Sequence, residues 1–223
     1  MEKNKLKAVI FDLDGVITDS AKYHYLAWKA LADELGIDFD EAYNEKLKGV
    51  SRMESLELIL ANGNACDKYT DEEKFSMAEK KNDNYKELIK QITPADVLPG
   101  IMDFLNELKA AGIKIALASV SKNAPFILKQ LELEDYFNYV ADAAKVPNAK
   151  PFPDIFLAGM EAFSLTPEVC IGVEDARTGV EAIHRAGMKA VGVGTPSEME
   201  EADLLVTTGE LKLELVKKAF NME

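Results

Sequence analysis

The apolar run Ala8-Val9-Ile10-Phe11 has no strand partner near it in the sequence. Four consecutive apolar residues between polar ones read as a strand buried on both faces. From residue 21 to residue 94 only helical spacing follows, and from residue 97 strand and helix patterns alternate to the end. The opening strand therefore has to join the later sheet. That order predicts an α/β chain: a three-layer, Rossmann-like parallel sheet core formed by residues 1–20 plus 95–223, with an all-helical cap domain inserted as residues 21–94.

Local signals support this division. Trp28, Leu31, Ala32 and Leu35 recur at helical spacing, and Gly36 can end the helix that opens at residue 21. His24 stands one turn before Trp28. Ser51 with Glu54, and Thr70 with Glu73, are capping-box patterns. The second precedes a long helix carrying Phe75, Ala78, Tyr85, Leu88, Ile89 and Ile92, which Pro94 should stop. Beyond it come a helix over 100–111, a strand Ile113–Ser119, a helix over 123–133 and a strand Tyr139–Asp142. A helix capped by Asp154 runs to Phe163, then a strand Cys170–Val173 and a helix over 176–186. Strands Ala190–Val193 and Leu204–Val206 and a last helix from Leu211 complete the chain.

In open parallel sheets ligands bind beyond the carboxyl ends of the strands. Asp12 and Asp14 follow the first strand, Ser119 ends the second, and Glu174-Asp175 follow Cys170–Val173. Lys150 lies in the connection after Val140, before a Pro151 whose peptide bond can be cis or trans at small cost. If the strands form, all these groups collect at one edge. Asp12 and Asp14, one residue apart, point the same way from extended backbone, and their like charges ask for a cation or a shared proton.

The formal net charge of −13 makes nucleic acid and anionic membrane poor partners. A phosphorylated ligand would have to be held by local lysines and arginines against that field. Cys66 and Cys170 form no metal-ligand pair, and two cysteines in 223 residues suit a reducing compartment. No stretch reads as a signal peptide or approaches transmembrane length. A cytoplasmic monomer that takes a small molecule is expected.

The stretch Asp12-Leu13-Asp14-Gly15-Val16 after a first strand resembles the signature of the haloacid dehalogenase superfamily. The resemblance implies that Asp12 is a nucleophile that takes a phosphoryl group and that Asp14 is the general acid and base. It assigns Ser119 to the transferring phosphate and Lys150 to the charge of the phosphorylated aspartate. It also implies Mg2+, held by Asp12, Glu174, Asp175 and the backbone carbonyl of Asp14. The chemistry agrees: magnesium prefers oxygen ligands, and displacement at phosphorus needs charge neutralised on the equatorial oxygens.

Further motifs resemble the hexose-phosphate mutases of that superfamily over nearly the whole chain. They are Thr18, His24, the turn Lys48-Gly49-Val50-Ser51-Arg52, the segment Lys81 to Tyr85, and Ser121-Lys122-Asn123. The implied reaction interconverts β-D-glucose 1-phosphate and glucose 6-phosphate through an aspartyl phosphate and β-glucose 1,6-bisphosphate. His24 and Lys81 would couple cap closure to the placement of Asp14. Lys48, Gly49, Val50, Ser51 and Arg52 would hold the sugar and the phosphate that is not transferring, with Ser121, Lys122 and Asn123 sharing that phosphate. Thr18 and Trp28 are further candidate substrate contacts. The Arg52 fork suits a second phosphate on physical grounds alone. Val120 and Phe152 depart from the small residues usual at their positions. Two other readings stay open: a sugar-phosphate phosphatase on the same scaffold, and a non-catalytic binding protein.

Overall fold

The computed structural model describes residues 4–47, 50–195 and 201–223. Lys48 and Gly49, expected at the sugar and phosphate turn, lie outside the described residues. The chain divides into two compact units, Ser20–Ile92 and Met1–Asp19 with Thr93–Glu223.

The unit Ser20–Ile92 is helical. It contains α1 (Ala21–Leu35), α2 (Glu41–Asn44), α3 (Arg52–Asn62) and α4 (Asp71–Leu88). Its apolar stripe closes over Trp28, Leu31, Ile37, Phe39, Leu56, Ile59, Leu60 and Ala78. Gly36 ends α1 in the left-handed region at φ 69°, where a side chain would be strained. Both capping boxes form, Ser51 with Glu54 at α3 and Thr70 with Glu73 at α4. Each satisfies two amides that a helix start otherwise leaves open, an effect of about 1 kcal/mol.

The larger unit is built on six parallel strands: β1 (Ala8–Phe11), β2 (Lys114–Leu117), β3 (Tyr139–Val140), β4 (Cys170–Glu174), β5 (Lys189–Val193) and β6 (Leu204–Val206). Their order is β3-β2-β1-β4-β5-β6. β1 lies between β2 and β4, and Phe11 registers against Leu117 on one side and Val173 on the other. That central position explains its unbroken apolar run. The helices are α5 (Ile101–Ala110), α6 (Ala124–Gln130), α7 (Asp154–Glu161), α8 (Arg177–Arg185) and α9 (Leu213–Ala219). One sheet face packs Ala8, Ile10 and Ala116 against Ile155, Phe156 and Ile183 from α7 and α8. On the other face the Phe11 ring meets Phe104 of α5 edge-on at 5.8 Å. Helices on both faces make the three-layer α/β core that the alternating pattern predicts.

Several ends differ from the sequence-based expectations. β2 stops at Leu117 and starts after Ile113, because the Ile113 amide closes the end of α5 on Leu108 O. Asp154 does not cap α7: Pro153 holds the cap position, and Asp154 is the first helical residue, accepting from Asn148 Nδ2 at 3.1 Å. Pro94 does not stop the long helix. α4 ends at Leu88 and tightens into a 3-10 turn, Ile89–Gln91. Pro94 opens a separate turn instead, boxed by Thr93 and Asp96. The last helix starts at Leu213, whose amide donates to Glu107 Oε2 at 2.7 Å.

Candidate active site

Because every strand pair is parallel, β1, β2 and β4 end at the same edge of the sheet. Asp12 follows β1, Ser119 lies two residues past β2, Glu174 ends β4 and Asp175 comes next. Lys150 enters from the loop after β3, through a cis bond to Pro151. Its ammonium donates to Asp12 Oδ1 at 2.6 Å and to Glu174 Oε2 at 2.8 Å. All three side chains are almost wholly inaccessible, Lys150 at 1 %, Asp12 at 8 % and Glu174 at 1 %. Asp12 Oδ2 accepts the Asp14 amide at 3.0 Å. Both oxygens of the Asp12 carboxylate are thereby oriented.

The electrostatics follow from burial. Burial alone would pull the Lys150 pKa down, but the carboxylates of Asp12 and Glu174 more than reverse this and hold the ammonium charged. Glu174 is pushed well above the ordinary carboxylate range by burial and by the charge of Asp12. Two carboxylates on one buried lysine, with Asp175 close to both, leave a surplus of negative charge that a further cation would relieve.

Asp12, Glu174 and Asp175 each bring a carboxylate oxygen to within 4.8 Å of the others. Oxygen-only donors of this charge fit a hard divalent cation. Two glycines make room for them. A Cβ on Gly15, which sits at φ 76°, would stand 2.1 Å from Asp175 Oδ2. A Cβ on Gly179 of α8 would stand 2.0 Å from Glu174 Cδ. The backbone is cut away where the carboxylates gather. Nothing in the local sequence announces that either glycine stands against a carboxylate.

Ser119 is buried, and its Oγ accepts the Ser121 amide at 3.1 Å, a bond that does not use its own hydrogen. Ser121 Oγ accepts the Asn123 amide at 3.3 Å, while Lys122 is exposed. Val120 is half-buried, and Phe152 lies 50 % exposed with the Arg185 guanidinium 5.6 Å from its ring. Thr18 is fully buried and donates from Oγ1 to Asp96 O at 2.8 Å. It therefore ties the loop after β1 to the segment that leads into α5.

The helical unit gathers the second set of groups. Lys81 of α4 is buried, and its Nζ lies 2.9 Å from His24 Nδ1, 4.5 Å from the Trp28 ring centre and 4.8 Å from that of Tyr85. An ammonium can only donate, so Nδ1 accepts and the ring proton sits on Nε2. Burial first, then the charges of Lys81 and Arg52, hold His24 well below the ordinary histidine pKa, so it is neutral. Its ring lies over that of Tyr85 at 4.0 Å. Trp28 is part of the helical core and presents its ring to the Lys81 ammonium. Ser51 caps α3, and Val50 packs partly against the helical core. Arg52 donates to Glu79 Oε1 at 2.5 Å and to Asn82 Oδ1 at 2.9 Å. Sequence reasoning gave Glu79 no role. The only signal was its place two residues before Lys81 on the same helix.

A carboxylate fixed between a buried ammonium and a backbone amide, beside a hard-cation cradle, is equipped to attack phosphorus and carry the resulting acyl phosphate. The chain belongs to the haloacid dehalogenase-like hydrolases, whose family profile matches residues 6–187. It is similar to the β-phosphoglucomutase of Bacillus subtilis, 51 % identical over 95 % of this chain and 94 % of that one. A solved β-phosphoglucomutase structure from Clostridium difficile superposes with a TM-score of 0.95 at 49 % identity, covering 97 % of each chain. A phosphorylated carbohydrates phosphatase of Thermotoga maritima is 29 % identical over 97 % of this chain and 98 % of its own.

Proposed function

We propose that this enzyme interconverts β-D-glucose 1-phosphate and glucose 6-phosphate by phosphoryl transfer through Asp12. The observation that carries this reading is the Asp12 carboxylate held between Lys150 and the Asp14 amide at the sheet edge. The 51 % identity to a β-phosphoglucomutase over almost the whole chain supports the choice of substrate. With Asp12 phosphorylated, the 6-hydroxyl of β-glucose 1-phosphate attacks phosphorus and Asp14 takes its proton. The Asp12–phosphorus bond breaks and β-glucose 1,6-bisphosphate forms. The bisphosphate turns, Asp12 attacks the phosphorus on O1, and Asp14 returns the proton to O1 as that bond breaks. Glucose 6-phosphate leaves and Asp12 is phosphorylated again.

Lys150 offsets the charge that builds on the phosphoryl oxygens, and the Ser119 hydroxyl donates to one of them. Asp12, Glu174, Asp175 and the carbonyl of Asp14 would hold magnesium, which when bound adds positive charge at the transferring group. Arg52 of the helical unit suits an anionic sugar, and His24 with Lys81 is assigned to couple cap closure to the placement of Asp14. Lys48, Gly49, Val50 and Ser51 are assigned with Arg52 to the sugar and the phosphate that is not transferring, and the resemblance assigns Ser121, Lys122 and Asn123 to that phosphate as well.

The phosphatase reading is favoured by one observation, the near full-length similarity to the Thermotoga maritima phosphatase. Product analysis separates the two. Given β-glucose 1-phosphate, magnesium and a trace of the bisphosphate, the enzyme should yield glucose 6-phosphate as main product. Glucose and inorganic phosphate in equal amounts would refute the mutase.

A further inference from the structure

Arg52 is assigned to the phosphate that is not transferring, yet its guanidinium already holds an anion. Nη1 donates to Glu79 Oε1 at 2.5 Å and Nη2 to Asn82 Oδ1 at 2.9 Å. Glu79 and Asn82 stand three residues apart on α4 and so share a face of that helix. Arg52 is the first residue of α3, directly after the Ser51 cap, so its backbone is fixed as well. The end-on pair of N–H groups, which suits a carboxylate or phosphate, is filled by a carboxylate and an amide. The pair is not sealed: the Arg52 side chain keeps 22 % of its accessibility and Glu79 keeps 45 %. Both helices have their own caps and apolar faces besides this contact.

On the reading of Arg52 as the second-phosphate group, we propose that Glu79 is an internal stand-in for that phosphate, parking Arg52 on α4 until a phosphorylated sugar displaces it. Glu79 is a positioning residue, acting on the ligand only through Arg52. A dianionic phosphate offers the same acceptor oxygens with more charge, and so outcompetes one exposed carboxylate. A neutral sugar does not. The parked pair thus raises the threshold that a ligand must cross and favours phosphorylated sugars over the unphosphorylated ones. Asn82 is buried and uncharged and stays in place as the neutral half of the clamp.

The test is a double-variant cycle read by calorimetric binding of glucose 6-phosphate and by steady-state kinetics. Glu79→Gln keeps the shape and removes the charge. It should lower both Kd and KM by about two- to fivefold, the size expected for one half-exposed ion pair, with kcat changed less than about twofold. Glu79→Ala should move Kd in the same direction. Arg52→Ala should weaken binding, and adding Glu79→Gln to it should change nothing more. Unchanged or weaker binding by Glu79→Gln, while Arg52→Ala still weakens it, would overturn the inference and leave the proposed function standing. Wild-type binding by Arg52→Ala would overturn the second-phosphate assignment itself, and the Glu79 inference with it.

Discussion

The Lys150 ammonium sits 2.6 Å from Asp12 Oδ1, joining residues 138 positions apart in the chain. The same ammonium reaches Glu174 Oε2 at 2.8 Å. The buried ammonium offsets part of the charge of two buried carboxylates. Removing the lysine leaves both carboxylates uncompensated, which makes the site testable through stability as well as turnover.

Lys150→Met should destabilise the metal-free enzyme by about 3 kcal/mol, because it strands two buried carboxylates. Magnesium should recover part of the loss by taking over the neutralisation. Urea denaturation with and without magnesium measures both effects. Equal midpoints for the variant and wild type in the absence of metal would contradict this account of Lys150.

Gly15→Ala places a Cβ 2.1 Å from Asp175 Oδ2, at a φ of 76° that side chains rarely adopt. Asp175 has to withdraw from the cradle. Magnesium affinity should fall at least about tenfold, with a stability loss of roughly 1–3 kcal/mol. Titration calorimetry with magnesium reads the first quantity. Affinity within a factor of two of wild type would show that Asp175 does not belong to the cation site.

His24 is neutral in the folded chain and has a pKa well below the ordinary 6.5. The unfolded chain takes up a proton near 6.5 while the folded chain does not. The contribution of neutral His24 is therefore complete above about pH 6.5. It is lost as pH falls from there toward the lowered folded value, at up to about 1.4 kcal/mol per pH unit. Denaturation of wild type and His24→Asn at pH 7.5 and 5.5 isolates this slope from that of the other groups. The variant should lose less stability than wild type over that interval, by about 1 kcal/mol. Parallel losses would mean that His24 titrates normally.

The fold and the edge of the sheet were legible in the sequence for one reason: strand ends are marked by polar residues. The unbroken apolar runs at Ala8–Phe11 and Cys170–Val173 declare doubly buried strands, and Asp12 and Glu174 stand at their ends. Both capping boxes were legible because they need only local spacing. What escaped the sequence depends on distant packing. The closeness of Gly15 to Asp175, and of Gly179 to Glu174, appears only once β1, β4 and α8 lie side by side. The bond from Thr18 to Asp96 spans 78 positions and gives a hydroxyl first read as a substrate contact a place in the fold. The Glu79 partner of Arg52 lies on another helix, 27 residues away, with no motif to announce it. Asp154 misled because an acid at the first helical turn looks like a cap when the preceding residue is a proline that cannot be one through its side chain.

The claim on which the account turns is that Asp12 receives a phosphoryl group and returns it to sugar. The enzyme should be loaded from a small radiolabelled acyl phosphate in magnesium, freed of donor, and mixed with unlabelled β-glucose 1-phosphate. Label should be found on Asp12 before mixing, be absent from Asp12→Asn, and pass chiefly into hexose phosphates. Label that stays off Asp12, or that appears only as inorganic phosphate however much sugar is added, would contradict it.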